Sequence, residues 1–482
     1  MYMAHRVFDW SDQEAFACIS NDYNPIHMDP VAARRTQPGA PIVHGIHSLI
    51  WILDCFSQSD LRTSGIKNLK VKFLRPIYVG EKITAEISQS TPMAYRMLIT
   101  TGSEELVTAT IGMEDIRSAA TSIKAPLTSA ITSPPASPND PSLQEMEGMS
   151  GCLSFGPSIS RLSTLYPTAV GVFGLPRIAA LACSSCLVGM VVPGLHSLFS
   201  SLEVSFSADV VVPPEAIQFS VTSIVKRVRS VRINIRTQFL HGIVETVSRP
   251  PPAKQPSIGI VKSHVSREEF RDTVALIVGG SRGLGEITGK LIAAGGGTVV
   301  ITYSTGKADA DRVASEMAQS GLKCKVVCYD VNRSALEQLE ALGEIPTQVY
   351  YFPTPSIFRR KTGIFDYQRF DEFNLFYVSA FFELVQACIR LRPAGIKFFY
   401  PSSTSVDVRP ATMTEYTMSK AAAEVLCDDI SRFVPGVQIL SRRLPRLPTD
   451  QTSSTVQIET ADPIEVLLNV VRDMHLLGQE HN

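Results

Sequence analysis

The sequence predicts a multidomain protein in which α+β structure precedes an α/β domain. Near the amino terminus, one apolar helix is followed by runs of alternating apolar and polar residues, which are typical of antiparallel strands. From residue 268 onward, short apolar strands alternate with helical segments, and this alternation is typical of a parallel sheet with helical crossovers. The length of 482 residues agrees with several domains, since a domain usually has about 100–200 residues.

Two segments of low apolar content divide the chain. Residues 117–150 are rich in Ser, Thr, Ala and Pro, and residues 249–267 contain three consecutive prolines from Pro250. Such segments bury little surface, so both are predicted to be linkers. The predicted domains therefore comprise residues 1–116, 151–248 and 268–482.

The first two domains show the same order of elements. In the first, an apolar helix from Gly45 to Phe56 precedes the strand-like runs LKVKFLRPIYVGEKITAEI and YRMLITTGSEELVTATIGM. In the second, an apolar helix near Arg177–Met190 precedes LHSLFSSLEVSF, AIQFSVTSIV and VRINIRTQFL. HGIHSL and PGLHSL are also similar, although they stand at different distances from the next strand. These similarities favour an internal repeat, but only weakly.

Composition excludes several classes of protein. Lys plus Arg number 45 and Asp plus Glu number 46, so the net charge of -1 provides no basic field for nucleic acid. The amino terminus lacks the basic start and apolar run of a secretory signal. Residues 178–202 carry no Asp, Glu, Lys or Arg, but Pro193 and several Ser and Gly residues favour a buried helix followed by a strand over a membrane span. We expect a cytoplasmic protein with no nucleic-acid or membrane partner.

The nine cysteines are sparse and irregularly spaced, which fits reduced thiols in a core. Cys183 and Cys186 form a CxxC pair, yet no second Cys or His pair stands near them in the sequence. Two small residues on a packed helix therefore explain this pair better than zinc or redox chemistry does. No metal site is predicted.

A glycine-rich turn stands at the start of the last domain. The strand TVALIV leads directly into GGSRGLG and a helix. Glycines let the backbone approach a pyrophosphate closely, and the helix amino terminus offers unpaired N–H groups and a positive dipole end. An ordinary strand-to-helix turn is the alternative. The candidate dinucleotide-binding residues here are Gly279, Ser281, Arg282, Gly283, Leu284 and Gly285.

A Tyr-x-x-x-Lys pair is the strongest signal in this domain. Tyr416 and Lys420 are four residues apart, so on a helix they lie on one face. A nearby ammonium group would lower the pKa of the Tyr416 phenol and make it a usable proton donor or acceptor. Ser403, at the end of the apolar run IKFFYPSS, could hold a substrate carbonyl beside Tyr416.

With these features, residues 270–482 resemble the short-chain dehydrogenase/reductase family, which has a Rossmann fold. VGGSRGLG is similar to the family's TGxxxGxG turn, with Val278 in place of threonine. The resemblance implies that Asp330 and Val331 contact adenine and that Asn374 holds a proton-relay water. The implied catalytic tetrad is Asn374, Ser403, Tyr416 and Lys420.

Two segments depart from that family. Residues 350–354, YYFPT, replace the Asn-Asn-Ala-Gly segment after the fourth strand, and Pro445-Arg446 replaces Pro-Gly after the sixth. Both departures leave the reacting groups intact. They affect the local support of those groups and the placement of nicotinamide.

The residues after the second strand of this domain favour NADP(H) over NAD(H). An NAD-preferring site has an acidic residue there for the ribose hydroxyls, whereas this chain has Tyr303 and Ser304. Arg282 and Lys307 could instead bind a 2′-phosphate. The alternative is that both are solvated surface charges.

A polar motif, NDYNPIHMD, precedes the apolar helix of the first domain. Pro25 fixes its own φ angle and biases Asn24 towards an extended conformation, so Asp22 and His27 can face one pocket. A carboxylate and an imidazole beside the same water suit hydration or dehydration, since one takes a proton while the other gives one. A backbone N–H near Gly45 could stabilise a thioester enolate.

Residues 8–111 resemble the MaoC-like, (R)-specific enoyl-thioester hydratase family, which has the hotdog fold. DxNPxH is its signature, and IVHG and VKFLRPIYVGEKITAE follow in the family's order. The resemblance implies that Asp22 and His27 are the catalytic pair. Asn24 would orient them, and Gly45 would be the oxyanion donor. The alternative for this motif is an Asx turn with a buried, hydrogen-bonded histidine.

The middle domain has no DxNPxH and resembles a degenerate second hotdog half, which would pair with the first and shape the acyl tunnel. The alternative is a divergent active site at His196, which has no carboxylate near it in the sequence. Otherwise His44, His47 and His196 are expected to be structural.

Together the resemblances imply a bifunctional acyl-thioester enzyme. An NADP(H)-dependent reductase would interconvert 3-oxoacyl and 3-hydroxyacyl groups, and a hydratase would interconvert (R)-3-hydroxyacyl and enoyl groups, on coenzyme A or acyl carrier protein. Fusion would raise the local concentration of the shared intermediate. The alternative is a reductase of a non-thioester carbonyl, such as a sugar or polyketide intermediate, with the hotdog pair as an acyl-binding or dimerising module. By resemblance alone, a homo-oligomer is expected.

Overall fold

The computed structural model describes residues 2–59, 61, 65–114, 130–207, 216–343, 345–358, 363–393, 395–454 and 458–478. The chain divides into two compact units. The first is Met1–Pro251 with Ser454–Gln457, and the second is Pro252–Ser453 with Ile458–Asn482.

The first unit combines an antiparallel sheet with helices. Its strands are β1 Tyr2–Val7, β2 Ile66–Phe73, β3 Lys82–Thr91, β4 Ala94–Thr101, β5 Glu104–Met113, β6 Ile131–Thr132, β7 Ser150–Ser154, β8 Ser197–Phe206, β9 Ala216–Val225, β10 Ser230–Arg236 and β11 Leu240–Ser248. Its α-helices are α1 Trp10–Ser20, α2 Pro25–Met28, α3 Pro30–Ala33, α4 Gly45–Gln58, α5 Leu162–Leu165, α6 Pro167–Phe173 and α7 Leu175–Cys186. A π-helical turn, Leu187–Val191, extends α7.

These strands form one sheet, in the order β1-β3-β4-β5-β2-β8-β11-β10-β9-β7-β6. The first half, with β1–β5 and α1–α4, runs β1-β3-β4-β5-β2 from its edge to the centre. The second half, with β6–β11 and α5–α7, repeats that order as β7-β9-β10-β11-β8, and β6 adds a short parallel edge. At the centre β2 pairs with β8, with Val71 opposite Leu202. The shared strand order supports the internal repeat that the sequence indicated only weakly.

Each half contributes one apolar helix to a common hydrophobic core. In α4, which begins at Gly45 as predicted, every residue of Ile46–Phe56 is buried. In α7, Ile178–Cys186 is buried as well, and β8 follows, so the predicted buried helix and strand within residues 178–202 are confirmed. A helix that is apolar on all sides must be enclosed on all sides, and here the sheet and the neighbouring helices enclose both.

By length and composition alone, one helical stretch among the described residues, Tyr367–Leu391, could span a membrane. The pair Pro167–Phe173 and Leu175–Val191 passes the same test only if it is counted as one span, although it is bent by 113°.

Parts of both predicted linkers are packed against their own units. Residues 117–129 lie outside the described residues. Asn139, further along the first linker, exchanges backbone hydrogen bonds with Met190 and Leu195. The second linker contains a short helix that buries Val261. Single buried side chains in a polar segment leave little trace in composition, so the sequence did not predict this packing.

The second unit alternates strands and helices. Its strands are β12 Val274–Val278, β13 Thr298–Tyr303, β14 Cys324–Cys328, β15 Gln348–Tyr351, β16 Ile396–Ser403 and β17 Val437–Leu444. Its α-helices are α8 Ile258–Lys262, α9 Gly283–Ala294, α10 Lys307–Gln319, α11 Ala335–Glu340, α12 Tyr367–Asn374, α13 Ala380–Leu391, α14 Ser405–Val408, α15 Thr414–Phe433 and α16 Pro463–Leu476. A π-helical turn, Leu375–Ser379, joins α12 to α13.

The sheet of the second unit is parallel, in the order β14-β13-β12-β15-β16-β17. This confirms the predicted α/β domain. Successive residues of β12 enter two different cores, because strand side chains alternate between faces: Ala275 and Ile277 on one face, Leu276 and Val278 on the other. The strand order reverses between β12 and β15. In open parallel sheets, ligands bind at such a switch point, outside the carboxyl ends of the strands.

Candidate active sites

The carboxyl group of Asp22 is buried between the two halves of the first unit. Asp22 follows α1 and is only 2% exposed. Its Oδ2 accepts a hydrogen bond from the Ser185 hydroxyl at 2.7 Å, and its Oδ1 accepts one from the backbone N–H of Asn24 at 3.2 Å. Burial raises the pKa of Asp22, against the opposing effects of the His27 charge and of both hydrogen bonds. Asp22 therefore keeps its proton to a higher pH than a solvated aspartic acid does.

The side chain of Asn24 ties the motif to the second half. Its amide group donates to the backbone carbonyls of Gly189 at 2.7 Å and Gly194 at 3.0 Å. Its Oδ1 accepts from the N–H of Ile26 at 3.1 Å and so caps α2. Gly189 also leaves the space that Asp22 fills, since a Cβ at Gly189 would stand 2.2 Å from Oδ1 of Asp22. The hydrogen bonds from Asn24 to Gly189 and Gly194 join the two halves of the unit, which is compatible with the orienting role predicted for Asn24.

His27 lies beside Asp22, as the motif predicted. Its Nδ1 donates to the backbone carbonyl of Ile42 at 2.8 Å, which leaves a lone pair on Nε2. One carboxylate oxygen of Asp22, one ring nitrogen of His27 and one ring nitrogen of His44 all lie within 4.8 Å of one another. Burial lowers the pKa of His27, against the Asp22 charge and the Ile42 hydrogen bond. A neutral imidazole therefore stands near a carboxyl group of raised pKa, and such a pair can exchange protons with a water bound between them.

His44 packs on Asp22 and His27, the predicted catalytic pair. Its ring stacks on His27 with the centroids 4.0 Å apart, and its Nε2 donates to the backbone carbonyl of Asp22 at 2.9 Å. Burial lowers the pKa of His44 well below its usual value. His44 thus supports the site in its neutral form, which agrees with the structural role expected for it.

Gly45 follows His44 directly and begins α4. No side chain caps this helix terminus, so the N–H groups of its first turn are suited to an oxyanion. A Cβ at Gly45 would stand 3.1 Å from the Phe73 ring, so a larger residue would crowd the helix start. The position fits the predicted oxyanion donor, and that role stays a prediction.

The Asx-turn alternative accounts for only part of this geometry. The turn from Asn24 to Ile26 exists, and His27 is hydrogen-bonded to a backbone carbonyl. A purely structural motif, however, gives no reason for burying Asp22 beside His27 under a hydroxyl from another part of the chain. The joined carboxyl and imidazole groups favour the catalytic interpretation.

The glycine at position 189 offers a direct test of this site. We expect Gly189→Ala to displace the Asp22 carboxyl group, because the new methyl would stand 2.2 Å from its Oδ1. Misplacing a reacting group by about 1 Å can cost about 100-fold in rate, so hydration of an enoyl thioester should fall by about that factor. Gly171→Ala, with nothing within 4 Å of the added Cβ, is the matched control and should hydrate normally. Equal hydration rates in the two variants would contradict the prediction.

His47 and His196, two further histidines of the first unit, have different surroundings. His47 is buried and stacks on Phe16 at 4.5 Å, which suits a structural residue. His196 has its Nε2 3.4 Å from Oδ1 of Asp140. The expectation that no carboxylate lies near His196 was therefore wrong. Asp140, which belongs to the predicted linker, lies beside His196 in the folded chain.

The glycine-rich turn of the second unit has the backbone shape that its sequence predicts. Gly279 and Gly283 have φ angles of 78° and 59°, which L residues with side chains rarely adopt. A Cβ at Gly285 would stand 2.3 Å from the carbonyl oxygen of Gly279, so only glycine fits there. No side chain caps α9, which starts at Gly283. Buried Ser281 and half-buried Leu284 complete a turn that a pyrophosphate can approach closely.

Tyr416, Lys420 and Ser403 come together at the carboxyl end of β16. Tyr416 and Lys420 lie in the first turns of α15, and Ser403 ends β16. Burial raises the pKa of Tyr416, and a hydrogen bond with the Ser403 side chain only partly offsets it. The prediction that Lys420 lowers the pKa of Tyr416 was therefore wrong, because burial raises it.

The surroundings of Lys420 explain this difference. Its Nζ donates to the carbonyl of Pro401 at 2.6 Å and lies 3.9 Å from the ring centroid of Tyr377, but 5.9 Å from that of Tyr416. Burial lowers the pKa of Lys420 to about 7. Near neutral pH the amine is thus only partly charged, and its charge is directed at the backbone and at other rings.

Asn374 ends α12 on the same side of the unit. The next residues form the π-helical turn, a distortion that is frequent at functional sites. Phe373 places its ring 5.7 Å from that of Tyr416. The four predicted tetrad residues are thus carried by elements that pack together, and the role of Asn374 stays a prediction.

The segment that replaces Asn-Asn-Ala-Gly packs against the glycine turn. A Cβ at Gly279 would stand 3.3 Å from the backbone of Phe352 and Pro353. The hydroxyl of Thr354 is 2.6 Å from that of Tyr377. The hydrogen bond between Thr354 and Tyr377 links this segment to the π-helical turn that follows Asn374. In the other departure, Arg446 donates to the carbonyl of Thr452.

Both cations expected to meet a 2′-phosphate are ion-paired. Nη1 of Arg282 lies 3.0 Å from Oδ2 of Asp450, and Nζ of Lys307 lies 2.7 Å from Oδ2 of Asp311. Arg282 is nonetheless at the start of α9, where a phosphate would bind. Asp450 is more than 160 positions away in the chain, so the sequence did not predict this competitor.

The remaining candidate cofactor residues lie at the carboxyl ends of neighbouring strands. Tyr303 ends β13, and Ser304 follows it. Asp330 and Val331 follow β14, and Oδ1 of Asp330 accepts hydrogen bonds from the backbone and side-chain nitrogens of Asn332 at 3.0 and 2.9 Å. Their placement at this edge is what a dinucleotide site at the switch point requires.

Comparison with known proteins gives two kinds of similarity. Residues 5–109 match the family model described as MaoC like domain. The chain is 35% identical over 82 residues to the (R)-specific enoyl-CoA hydratase of Aeromonas caviae, which is 17% of this chain and 60% of that protein. It is 25% identical over 161 residues to an uncharacterized oxidoreductase of Methylorubrum extorquens, 32% of this chain and 63% of that protein. The chain thus spans less than two thirds of either relative.

Among solved structures, a short-chain dehydrogenase from Burkholderia cenocepacia in complex with NADP aligns with a TM-score of 0.37 and 21% identity, over 43% of this chain and 91% of that one. Residues 5–109 match a MaoC-like domain, as predicted, and the same chain is similar to an oxidoreductase.

Proposed function

We propose that this chain is a bifunctional acyl-thioester enzyme. Its second unit is an NADP(H)-dependent 3-oxoacyl reductase and 3-hydroxyacyl dehydrogenase, and its first unit is an (R)-3-hydroxyacyl dehydratase and enoyl hydratase. The observation that carries the proposal is the burial of Asp22 beside His27, under the Ser185 hydroxyl. The Aeromonas caviae relative, an enoyl-CoA hydratase, supports a coenzyme A thioester as substrate.

In the hydratase centre, Asp22 and His27 share the proton transfers. During hydration one of them takes a proton from water as the oxygen bonds to C3, and the other gives a proton to C2. The N–H groups at Gly45 stabilise the thioester oxygen while it carries enolate charge. Dehydration runs the same steps in reverse. The second half completes a double hotdog by holding Asp22 and Asn24.

The glycine turn of the second unit fits a dinucleotide, because a Cβ at Gly285 would fill the cradle that the backbone leaves there. Bound NADP(H) would supply or accept the hydride. Tyr416 gives its phenolic proton to the carbonyl oxygen, and Ser403 donates a hydrogen bond to the same oxygen. Lys420 returns a proton to Tyr416 by way of a water that Asn374 would hold.

The coupling of the two centres follows from their chemistry. The 3-hydroxyacyl group that leaves the reductase is the substrate of the dehydratase, so a common chain keeps it at a high local concentration. The proposed catalytic domain is residues 1–116, with residues 151–248 as its supporting half and residues 268–482 as the reductase. We further propose a cytoplasmic homo-oligomer.

The ion pair of Arg282 gives a test of the cofactor proposal. Arg282→Ala should weaken NADPH binding about 10- to 100-fold, since one charge-assisted hydrogen bond is worth about 1.5–3 kcal/mol, and NADH binding should not change. Asp450→Asn should act in the opposite direction, because it removes the carboxylate that competes with the phosphate. Arg271→Ala, which removes a 69% exposed arginine, is the matched control. The dissociation constants of NADPH and NADH are measured by titration of each variant. Unaltered NADPH binding in Arg282→Ala would contradict the proposal that Arg282 binds the 2′-phosphate.

The overall proposal is tested with the purified chain, NADPH and 3-oxoacyl thioesters of several lengths on coenzyme A and on acyl carrier protein. Mass spectrometry should find 3-hydroxyacyl products and then enoyl products. Products that stop at the 3-hydroxyacyl stage, together with no hydration of crotonyl thioester, would leave the first unit as an acyl-binding or dimerising module. Reduction of sugar or polyketide carbonyls but not of thioesters would favour the other alternative.

A further inference from the structure

Arg249 carries a buried charge in the first unit that the proposed reaction does not yet use. It follows β11 and is 8% exposed. Its Nη2 donates to the carbonyl of Leu195 at 3.2 Å, and its backbone N–H donates to the carbonyl of His196 at 2.7 Å. Nε has no hydrogen-bond partner, and over the part of the chain that the structure describes no carboxylate forms an ion pair with Arg249. Burying an unpaired cation is costly, which suggests a use for it.

The carbonyl of Leu195 connects Arg249 to the active-site motif. The side-chain amide of Asn24 also donates to this oxygen, at 3.5 Å, in addition to its bonds with Gly189 and Gly194. The Arg249 guanidinium group and the Asn24 amide group therefore both donate hydrogen bonds to the carbonyl oxygen of Leu195. By binding Leu195, Arg249 helps to fix the segment from Gly189 to Leu195. Gly189 packs against the Asp22 carboxyl group.

The charge of Arg249 also acts on His27. The positive charge lowers the pKa of His27, in the same direction as burial, while the Asp22 charge and the Ile42 carbonyl raise it. His44, the remaining titratable group against the ring, has its own pKa held well below the usual value by burial. Burial lowers the pKa of Arg249 itself to about 10, so its guanidinium stays charged at neutral pH.

We propose that Arg249 is a positioning residue of the hydratase centre, which fixes the Leu195 carbonyl to which Asn24 also donates. This inference rests on the proposed hydratase function. Arg249 does not touch the reacting atoms in this scheme. It acts through Asn24 and through its field on His27.

Three substitutions separate the charge from the hydrogen bond. Arg249→Met removes both, Arg249→Gln keeps a donor for Leu195 without the charge, and Arg249→Lys keeps the charge. Arg232→Met is the matched control, since Arg232 is a 51% exposed arginine of the same sheet. Hydration of crotonyl thioester is followed as a pH profile of kcat/KM. In parallel, the pKa of His27 is measured by NMR on the chain labelled with ¹³C-histidine, with His27→Gln assigning the signal.

Loss of the positive charge should stabilise the imidazolium form. We expect kcat/KM to fall in Arg249→Met, and the His27 pKa and the acid limb of the profile to rise in Arg249→Met and Arg249→Gln and to stay near the original in Arg249→Lys and Arg232→Met. Hydration by Arg249→Met at the rate of Arg232→Met, or an unshifted His27 titration in both neutral variants, overturns the inference. If the unaltered chain does not hydrate crotonyl thioester, the hydratase proposal fails, and the inference fails with it even if the His27 titration shifts.

Discussion

Tyr416→Phe should abolish the oxidation of NADPH by a 3-oxoacyl thioester. The variant keeps the aromatic ring, and so keeps the edge contacts with Phe373 and Tyr377, but it removes the proton that the carbonyl oxygen must receive. Loss of a general acid costs about 10²–10⁴ in rate. The fall should appear in kcat, because Ser403 still binds the substrate oxygen. Hydration of crotonyl thioester by the same sample should be unaffected.

A second tyrosine of the same unit provides the control for this prediction. Tyr367 lies on α12 and is 79% exposed, so Tyr367→Phe removes a hydroxyl of the same type without entering the site. We expect it to reduce 3-oxoacyl thioesters at the original rate. If Tyr416→Phe also turns over normally, Tyr416 is not the acid of this reaction.

Asp22→Asn should abolish hydration and leave reduction intact. Asparagine has the shape of aspartate. Its amide oxygen can accept from the backbone N–H of Asn24 while its amide nitrogen donates to the Ser185 hydroxyl, so the packing against Gly189 survives. It cannot take up a proton in the reaction, and the expected loss is again about 10²–10⁴ in kcat. The rate is followed by the absorbance of the enoyl thioester.

The motif itself supplies a matched variant. Asp29 is exposed and caps α3 by accepting hydrogen bonds from Val31 and Ala32, a task that asparagine performs equally well. Asp29→Asn should therefore hydrate at the original rate. Full activity in Asp22→Asn would remove Asp22 from the mechanism and leave the first unit as a binding module.

The raised pKa of Asp22 and the lowered pKa of His27 also set a direction for the pH dependence of hydration. If Asp22 must be ionised, activity is lost as the pH falls through a value above that of a solvated aspartic acid. If His27 must be neutral, the lowered pKa extends the active range downward in pH. The two shifts therefore move the acid limb in opposite directions: the raised pKa of Asp22 moves it to higher pH, and the lowered pKa of His27 moves it to lower pH.

The sequence predicted those parts of the sites that lie close together in the chain. DxNPxH brings Asp22 and His27 within one turn and a short helix, and YxxxK places Tyr416 and Lys420 on one helical face by spacing alone. The strand and helix order was similarly accessible, because strands and helices differ in the period of their apolar residues.

The groups that the sequence did not predict act across long separations. Ser185 and Gly189 are common small residues, and their only trace is the run SSCLVG in an otherwise apolar helix. The partner of Arg282 is Asp450, far along the chain. The pKa of Tyr416 depends on burial, which spacing does not report. In each case the missing information was which distant residue stands nearby in the folded chain.

The contact of Ser185 and Gly189 with Asp22 implies a division of labour within the first unit. The half that bears no motif supplies the groups that enclose the Asp22 carboxyl group of its neighbour. A polypeptide ending at residue 116 would lack Ser185 and Gly189 and leave Asp22 facing solvent. We therefore expect even a well-folded fragment of that length not to hydrate enoyl thioesters.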